Sequence, residues 1–369
     1  MRRDRGPECT TRWLLRTPRA AVGCAPAMVE QPRTPQQDGT WIAPGDGPSP
    51  DQPAPEARSF AWARSWKTWA ALIVPVVALA ELVAHVVQVR TAVPGEAWDQ
   101  AREVARTMLQ PADGLLFSPR WTEPLGRMHF GDQLATLDRM APPDYTRFPR
   151  VLEVSIRGRH RPEVAGWTLT EERRVGPVRL RMLANPSPVQ IVDNLIDHVR
   201  PHDLSVVEAS LADGSERPCP FTQTGPRSGP LGFGPAIPAD KFTCSRGGPV
   251  AVTVVTDLDY YPHRCIYAPP PGSGATLRLR FASIRFGKLL HGHHGLYVEA
   301  ERLRQGAPIE ISFRVGDKTI GTVAHQDGEG WSRFQFDTSD LQGSTDELTI
   351  EIRSTFAERR MYCFEADTR

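Results

Sequence analysis

The chain lacks the short signatures that name a reaction. It has no nucleophile elbow, no Walker loop, no dinucleotide fingerprint and no HExxH. It also lacks charge imbalance: 44 Lys and Arg stand against 43 Asp and Glu, a formal net charge of +1. That excludes the basic footprint of a nucleic-acid binder, and no nucleic acid is expected as a partner. Cysteines are few, 6 in 369 residues, with no CxxC among them, so a paired-cysteine metal site is excluded. Long hydrophobic runs are scarcer still, because there is one.

That run is Trp69 to Val89, WAALIVPVVALAELVAHVVQV. At 1.5 Å per residue it spans about 30 Å, the thickness of a bilayer core. Trp62, Trp66 and Trp69 precede it like an interfacial aromatic belt. Glu81 and His85 share a helical face and need a partner or the interface, and Pro75 is a kink position. The competing reading is a buried helix of a soluble protein. A cleaved signal peptide fits poorly, since the run begins almost 70 residues in. Arg58, Arg64 and Lys67 lie before the run, whereas Glu96 and Asp99 soon join Arg90 after it. The positive-inside rule then puts the N-terminus in the cytoplasm and the C-terminal region in the periplasm or outside the cell.

Residues 1–60 are rich in proline and poor in core-forming residues and read as disordered. Their arginine-rich start, with Trp13 and Leu14, is suited to anionic lipid or has no role. Cys9 and Cys24 lie in this tail. Cys219, Cys244, Cys265 and Cys363 lie beyond the apolar run, an even number that suits disulfides in an oxidising compartment. Four cysteines allow three pairings. Cys219 with Cys244 would staple a Pro/Gly-rich loop, and Cys265 with Cys363 would tie the first and last strands of the final region.

Past the anchor, Glu96–Leu109 reads as a helix with an apolar stripe of Ala97, Ala101, Val104, Ala105 and Met108. Leu115–Phe117 is a short buried strand followed by SPRWTEPLG. Arg120 and Trp121 stand at that strand exit, where α/β folds place ligand contacts. Phe130–Met140 reads as a second helix, and Arg150–Ile156, Trp167–Glu172 and Val178–Leu183 read as strands. Between them Gly158–Pro162, GRHRP, is a basic turn. The helix before DGLLFSPRW and the strand RVLEVSI, within residues 96–156, weakly resemble the soluble region of bacterial glycosyltransferases that use lipid-linked sugars. The diagnostic catalytic motif and the membrane-face acid of those enzymes are missing, so the resemblance implies no activity here.

Ser205–Leu211 is a strand, and residues 211–249 form a Pro/Gly-rich connector. Strands then follow at Val250–Asp257, Thr276–Phe286, Leu296–Ala300, Ile309–Val315, Thr319–Ala324, Gly330–Phe336, Glu347–Ser354 and Arg360–Glu365. Many short strands at even spacing make an antiparallel sandwich. The strand Ile309–Val315 with Gly316, Asp317 and Ile320, then Trp331 before a strand ending at Asp337, then Cys363 and Phe364, resemble the galactose-binding-like jelly roll of carbohydrate-binding modules. That resemblance implies a scaffold that exposes aromatics, or an Arg–Asp pair, at a loop end.

The expected fold is therefore α+β, mainly β. It comprises a disordered cytoplasmic tail (1–65), one transmembrane helix (66–90), a small α/β region with additional strands (91–210), the connector (211–249) and a jelly-roll sandwich (250–369). Candidate ligand contacts are Tyr260, Tyr261, His263, Arg120, Trp121 and the glycine-rich stretch KLLHGHHGL, read as a flexible loop carrying His291, His293 and His294. Trp331 is a candidate contact or a core residue. No cofactor is called for. Imidazoles so close are of the kind that take Zn²⁺, and Asp257 and Asp259 of the kind that take Ca²⁺; a hydrogen-bonded turn without metal is the plainer reading. The expected function is a membrane-anchored extracytoplasmic binding module for a glycan or an envelope protein. The alternative is an envelope sugar-modifying enzyme or hydrolase using the same carboxylates and histidines.

Overall fold

A computed structural model describes residues 61–226 and 234–369. The expected disordered tail lies outside the described residues up to residue 60, as do residues 227–233 of the connector.

Helix α1 (Ala61–Thr91) carries the apolar run and starts five residues before the expected boundary, with Pro75 inside it. Among the described residues it is the one helix long and apolar enough to cross a membrane, over Trp69–Val89, and none of that stretch is covered by the protein.

The first folded layer is small and mixed. Helix α2 (Gly95–Met108) buries Ala97, Trp98, Ala101, Ala105 and Met108, the stripe that its 3.6-residue period places on one face. It is followed by β1 (Gly114–Ser118), α3 (Glu123–Leu134), α4 (Leu137–Met140), β2 (Arg150–Ile156), β3 (Thr168–Val175) and β4 (Val178–Ala184). The sheet order is β1-β2-β4-β3, with β1 and β2 parallel and the rest antiparallel. Leu115, Phe117, Leu152 and Val154 face α2 and α3, while Leu116 and Val151 face Tyr145 and Phe148 on the other side. Helix α3 begins earlier than expected, at Glu123. Pro124 sits in its first turn, where a missing N–H costs nothing, so the proline starts the helix instead of barring it.

The remainder is β5 (Asp193–Asn194), β6 (Leu204–Ser210), β7 (Glu216–Pro218), β8 (Phe221–Gln223), β9 (Asp240–Phe242), β10 (Ala251–Thr256), β11 (Pro262–Tyr267), β12 (Ala275–Arg285), β13 (Leu289–Leu296), α5 (Val298–Leu303), β14 (Ile309–Val315), β15 (Lys318–His325), β16 (Ser332–Asp337), β17 (Thr345–Ser354) and β18 (Tyr362–Thr368). Two antiparallel six-stranded sheets result. One runs β10-β11-β18-β13-β16 with β5 beside β18; the other runs β15-β14-β17-β12-β6-β7. Leu290, Phe334 and Phe364 from the first share a core with Phe281, Phe313 and Ile350 from the second. The chain is thus mixed α+β and mainly β, with large antiparallel sheets. Strand β6 pairs with β12 from Ala275↔Ser210 to Phe281↔Leu204, so the second sheet draws on chain well before Val250.

Both disulfides join the partners that topology suggested, Cys219–Cys244 and Cys265–Cys363. By loop length alone, 25 and 98 residues, they restrict the unfolded chain by about 3.5 and about 4.7 kcal/mol.

The stretch KLLHGHHGL is not a flexible loop. It is β13, a central strand bonded to β16 on one side and β18 on the other. Its glycines serve close packing: a Cβ at Gly292 would stand 2.2 Å from the Glu365 carbonyl oxygen, and one at Gly295 would stand 2.8 Å from the Trp331 ring. The strand expected at Leu296–Ala300 is instead the end of β13 and the start of α5, whose VEAERL sequence is dominated by helix formers.

Candidate functional site

Alternation along a strand sends successive side chains to opposite faces. On the first six-stranded sheet, one face feeds the shared core. The other carries His263 and Cys265 on β11, His291 and His293 on β13, and Cys363, Glu365 and Asp367 on β18, as the registers His293↔Glu365 and Tyr267↔Cys363 require. Part of this second face looks onto the mixed layer. There a cavity of about 670 Å³ opens, lined by residues that include Arg120, Asp144, Tyr145, Arg161 and Glu163 from the mixed layer and Asp257, Tyr261, His263, His293, Trp331 and Arg333 from the sheet. Arg369 to Asp144, at 2.7 Å, and Arg264 to Asp138, at 3.3 Å, join the two walls.

One corner is built from the loop between β10 and β11. The Asp257 carboxylate accepts the backbone N–H of Asp259 and of Tyr261, both at 2.9 Å, and faces His263 Nε2 at 2.8 Å. Burial alone would raise this carboxyl; His263 and the two amides together hold it below the usual aspartate range. Burial lowers the imidazole despite that carboxylate, so His263 is neutral at neutral pH. Its proton then sits on Nε2 and is donated to Asp257, leaving Nδ1 bare and without a partner. The Trp331 ring stacks on the imidazole at 4.1 Å between centroids, tilted 11°. Trp331 Nε1 is also buried without a partner. Tyr261 packs against His263 on one side and lies beneath Arg120 and Arg127, whose guanidinium carbons are 5.5 and 5.8 Å from its ring centre.

The facing wall is equally fixed. Asp144 follows Pro142 and Pro143, accepts the N–H and hydroxyl of Thr146, and pairs with Arg369. Against the upward push of burial, these donors hold its carboxyl at about 2. Arg161 is nearly buried, pairs with Glu163 and donates to the Phe117 carbonyl. On the floor, His293 Nδ1 lies 2.7 Å from Glu365 Oε1, and burial raises that carboxyl. Behind Tyr261, Glu123 is buried beside Arg127; burial drives its carboxyl up to about 7 although Arg127, Arg161 and Arg120 oppose the shift.

Of the residues singled out from sequence, Arg120, Asp257, Asp259, Tyr261, His263, His293 and Trp331 meet in this cavity. Tyr260 and Trp121 do not; with Glu123 they line a smaller neighbouring recess. The three close histidines do not converge. His291 and His293 share a face, their rings 5.1 Å apart, but His294 points into the shared core beside Phe334 and Tyr362. Burial first and neighbouring positive groups second push His291 and His294 down to about 3. Among the described residues, no group of three or more His, Cys, Asp or Glu is placed to hold a metal ion. Asp144, Arg161, Glu163 and Arg333 also line the cavity, and their spacing in the sequence does not mark them as contacts. The signals available were the Pro-flanked APPDYT segment and the basic turn GRHRP.

No family model and no curated protein matches this chain. Solved structures similar to it include CBM51-2 in complex with GlcNAc and INT domains from Clostridium perfringens ZmpB, at 11% identity, covering 45% of this chain and 37% of that one, TM-score 0.24. The M60 catalytic domain with the CBM51-1 and CBM51-2 domains of the same protein matches at 11% identity over 54% of this chain and 22% of that one, TM-score 0.24. This chain therefore spans well under half of either, and a likeness at that TM-score carries no argument about fold or function.

Proposed function

We propose that this chain is a membrane-anchored glycan-binding module. Residues 90–369 are outside the cytoplasm, and the two large sheets form a jelly-roll sandwich of the galactose-binding-like type. The observation that carries the reading is the make-up of the cavity. Trp331 and the exposed edge of Tyr261 supply aromatic surface, and the groups around them are carboxylates and guanidiniums already fixed by second partners. A sugar ring needs that combination: an apolar C–H face for an aromatic ring, and hydroxyls that both donate to carboxylates and accept from arginine. Fixed partners lower the ordering cost on binding. Five lining carboxylates, Asp144, Glu163, Asp257, Asp259 and Glu329, outnumber the lining arginines Arg120, Arg161 and Arg333. A neutral saccharide is therefore favoured over an acidic one.

Isothermal titration of the full chain in neutral detergent against a panel of neutral and acidic envelope oligosaccharides tests this. Binding of a neutral member, weakened about tenfold or more by Tyr261→Ala or Trp331→Ala, is expected. No binding across the panel, or binding unchanged by both substitutions, rejects it.

A second reading is a sugar-modifying hydrolase: Asp257, fixed at the cavity wall by two backbone amides and His263, is a carboxylate of the kind such an enzyme uses as base. Release of product from the same panel, abolished by Asp257→Asn, would favour this reading over the module.

A further inference from the structure

Around the corner from the glycan cavity the mixed layer carries a second cleft of about 590 Å³, lined among others by Arg120, Arg157, Arg159, Arg161, Trp121 and Glu163. It lies past the carboxyl ends of the parallel strands β1 and β2, since Pro119–Trp121 follows the first and Arg157–Glu163 the second. That is where open sheets with parallel strands present ligand sites. We infer that this cleft binds a phosphate ligand of net negative charge through the guanidiniums of Arg157 and Arg159.

Charge is the first argument. Four arginines face one carboxylate there, and that carboxylate, Glu163, is taken by Arg161. Arg120 reaches Asp259 at 3.3 Å. Among the described residues, no carboxylate lies within ion-pair distance of Arg157 or Arg159. Arg157 instead lies over the exposed Trp121 ring, 5.7 Å from its centre. Two guanidiniums on one loop, neither paired with a carboxylate, offer forked donors to the oxygens of a tetrahedral phosphate anion, a geometry arginine matches well.

The second argument is that the loop is anchored to carry them. Glu153, wholly buried on β2, accepts the backbone N–H of Arg161 at 2.8 Å, faces His160 Nδ1 at 2.9 Å and pairs with Arg181 at 2.8 Å. Arg161 in turn ties the loop to β1 through the Phe117 carbonyl. Within this anchored loop Arg157 has φ +54° and Gly158 φ +63°. Glycine adopts that left-handed region freely, and an arginine adopts it at a cost. The turn, closed by the Arg159 N–H on the Ile156 carbonyl, therefore accepts Arg157→Gly without strain, which isolates the side chain's role in binding.

The neighbourhood favours a lipid as the bearer of the phosphate. Trp121, in the single turn just before α3, and Leu125 and Met128 on α3 are 62%, 37% and 70% exposed and follow one another at helical spacing. His129, the next residue, touches the start of α2, its Cε1 being 3.6 Å from a Cβ built on Gly95. Gly95 follows the end of α1 at Thr91 by only Ala92, Val93 and Pro94. Met128 is thus next in sequence to a residue that packs on the start of α2, and Trp121 lies against Arg157 at the cleft.

The test uses the full chain in neutral detergent and three probes: glycerol 3-phosphate, a short-chain phosphatidylglycerol and the matching phosphatidylcholine. Either anionic probe should bind the native chain. Arg157→Gly and Arg159→Gln should each weaken it about tenfold or more, with the melting temperature of Arg157→Gly unchanged or raised. Phosphatidylglycerol far tighter than glycerol 3-phosphate assigns the site to lipid headgroups; equal affinities assign it to soluble phosphate. The inference is overturned if neither anionic probe binds, if phosphatidylcholine binds as well as phosphatidylglycerol, or if both variants bind like the native chain. Failure here leaves the glycan reading standing, because Tyr261 and Trp331 do not line this cleft.

Discussion

At the residue scale, the most telling group is Glu123. Its side chain is 3% exposed, and burial lifts its carboxyl from 4.5 to about 7. Between those values the folded chain holds a proton that the unfolded chain has released. Its contribution is therefore fully present below pH 4.5 and is lost as pH rises through 7. At about 1.4 kcal/mol per unit the loss amounts to about 3 kcal/mol. Urea unfolding at pH 5 and pH 8 should show native stability falling over this range and Glu123→Gln flattening the fall by roughly that amount. Identical slopes for the two proteins would contradict the assignment. Glu123 was invisible in the sequence as a special residue, because nothing in SPRWTEPLG says that a helix begins at it and sinks it beneath Tyr261. Asp257, Tyr261 and His263 were legible together because all three fall within seven consecutive residues, the loop after β10 and the start of β11. Asp144 and Arg333 were not, because they approach the same cavity from different layers more than 180 residues apart in sequence.

At the element scale, periodicity did well where one face alone is buried. The stripe on α2 appears with Trp98 added and Val104 only half-buried, and the alternation of Val178, Leu180 and Met182 against Arg179 and Arg181 on β4 appears as expected. It failed on β13, where neighbours bury both faces and no polar side alternates with an apolar one. Glycine there looked like flexibility and turned out to be clearance for a carbonyl and two rings. Helix α1 was legible because its length and apolar composition together stand out from the rest of the chain. Its flanking charges, Arg64 and Lys67 before and Glu96 and Asp99 after, set the orientation proposed here. Protease added to intact spheroplasts should digest residues 90–369 and leave a tail-plus-helix fragment. Full protection of the C-terminal region would reverse the orientation, and with it the access of this chain to envelope glycans.

At the scale of the whole molecule, the mixed layer and the larger β region belong to one compact unit, Ala80–Arg369, and the cavity exists because both contribute walls. Ion pairs at Asp144–Arg369 and Asp138–Arg264 join those walls, and the disulfides restrain the larger region. The two disulfides also suit the oxidising side of a membrane, where the proposed topology places them. The most direct test of the central claim is saturation-transfer NMR on the full chain with a neutral oligosaccharide that it binds. Magnetisation should pass from Tyr261 and Trp331 to the C–H protons of one sugar face. The transfer should vanish in Tyr261→Ala and persist in Tyr260→Ala, since Tyr260 lies outside the cavity. Transfer that survives Tyr261→Ala, or that needs Tyr260, would contradict the account.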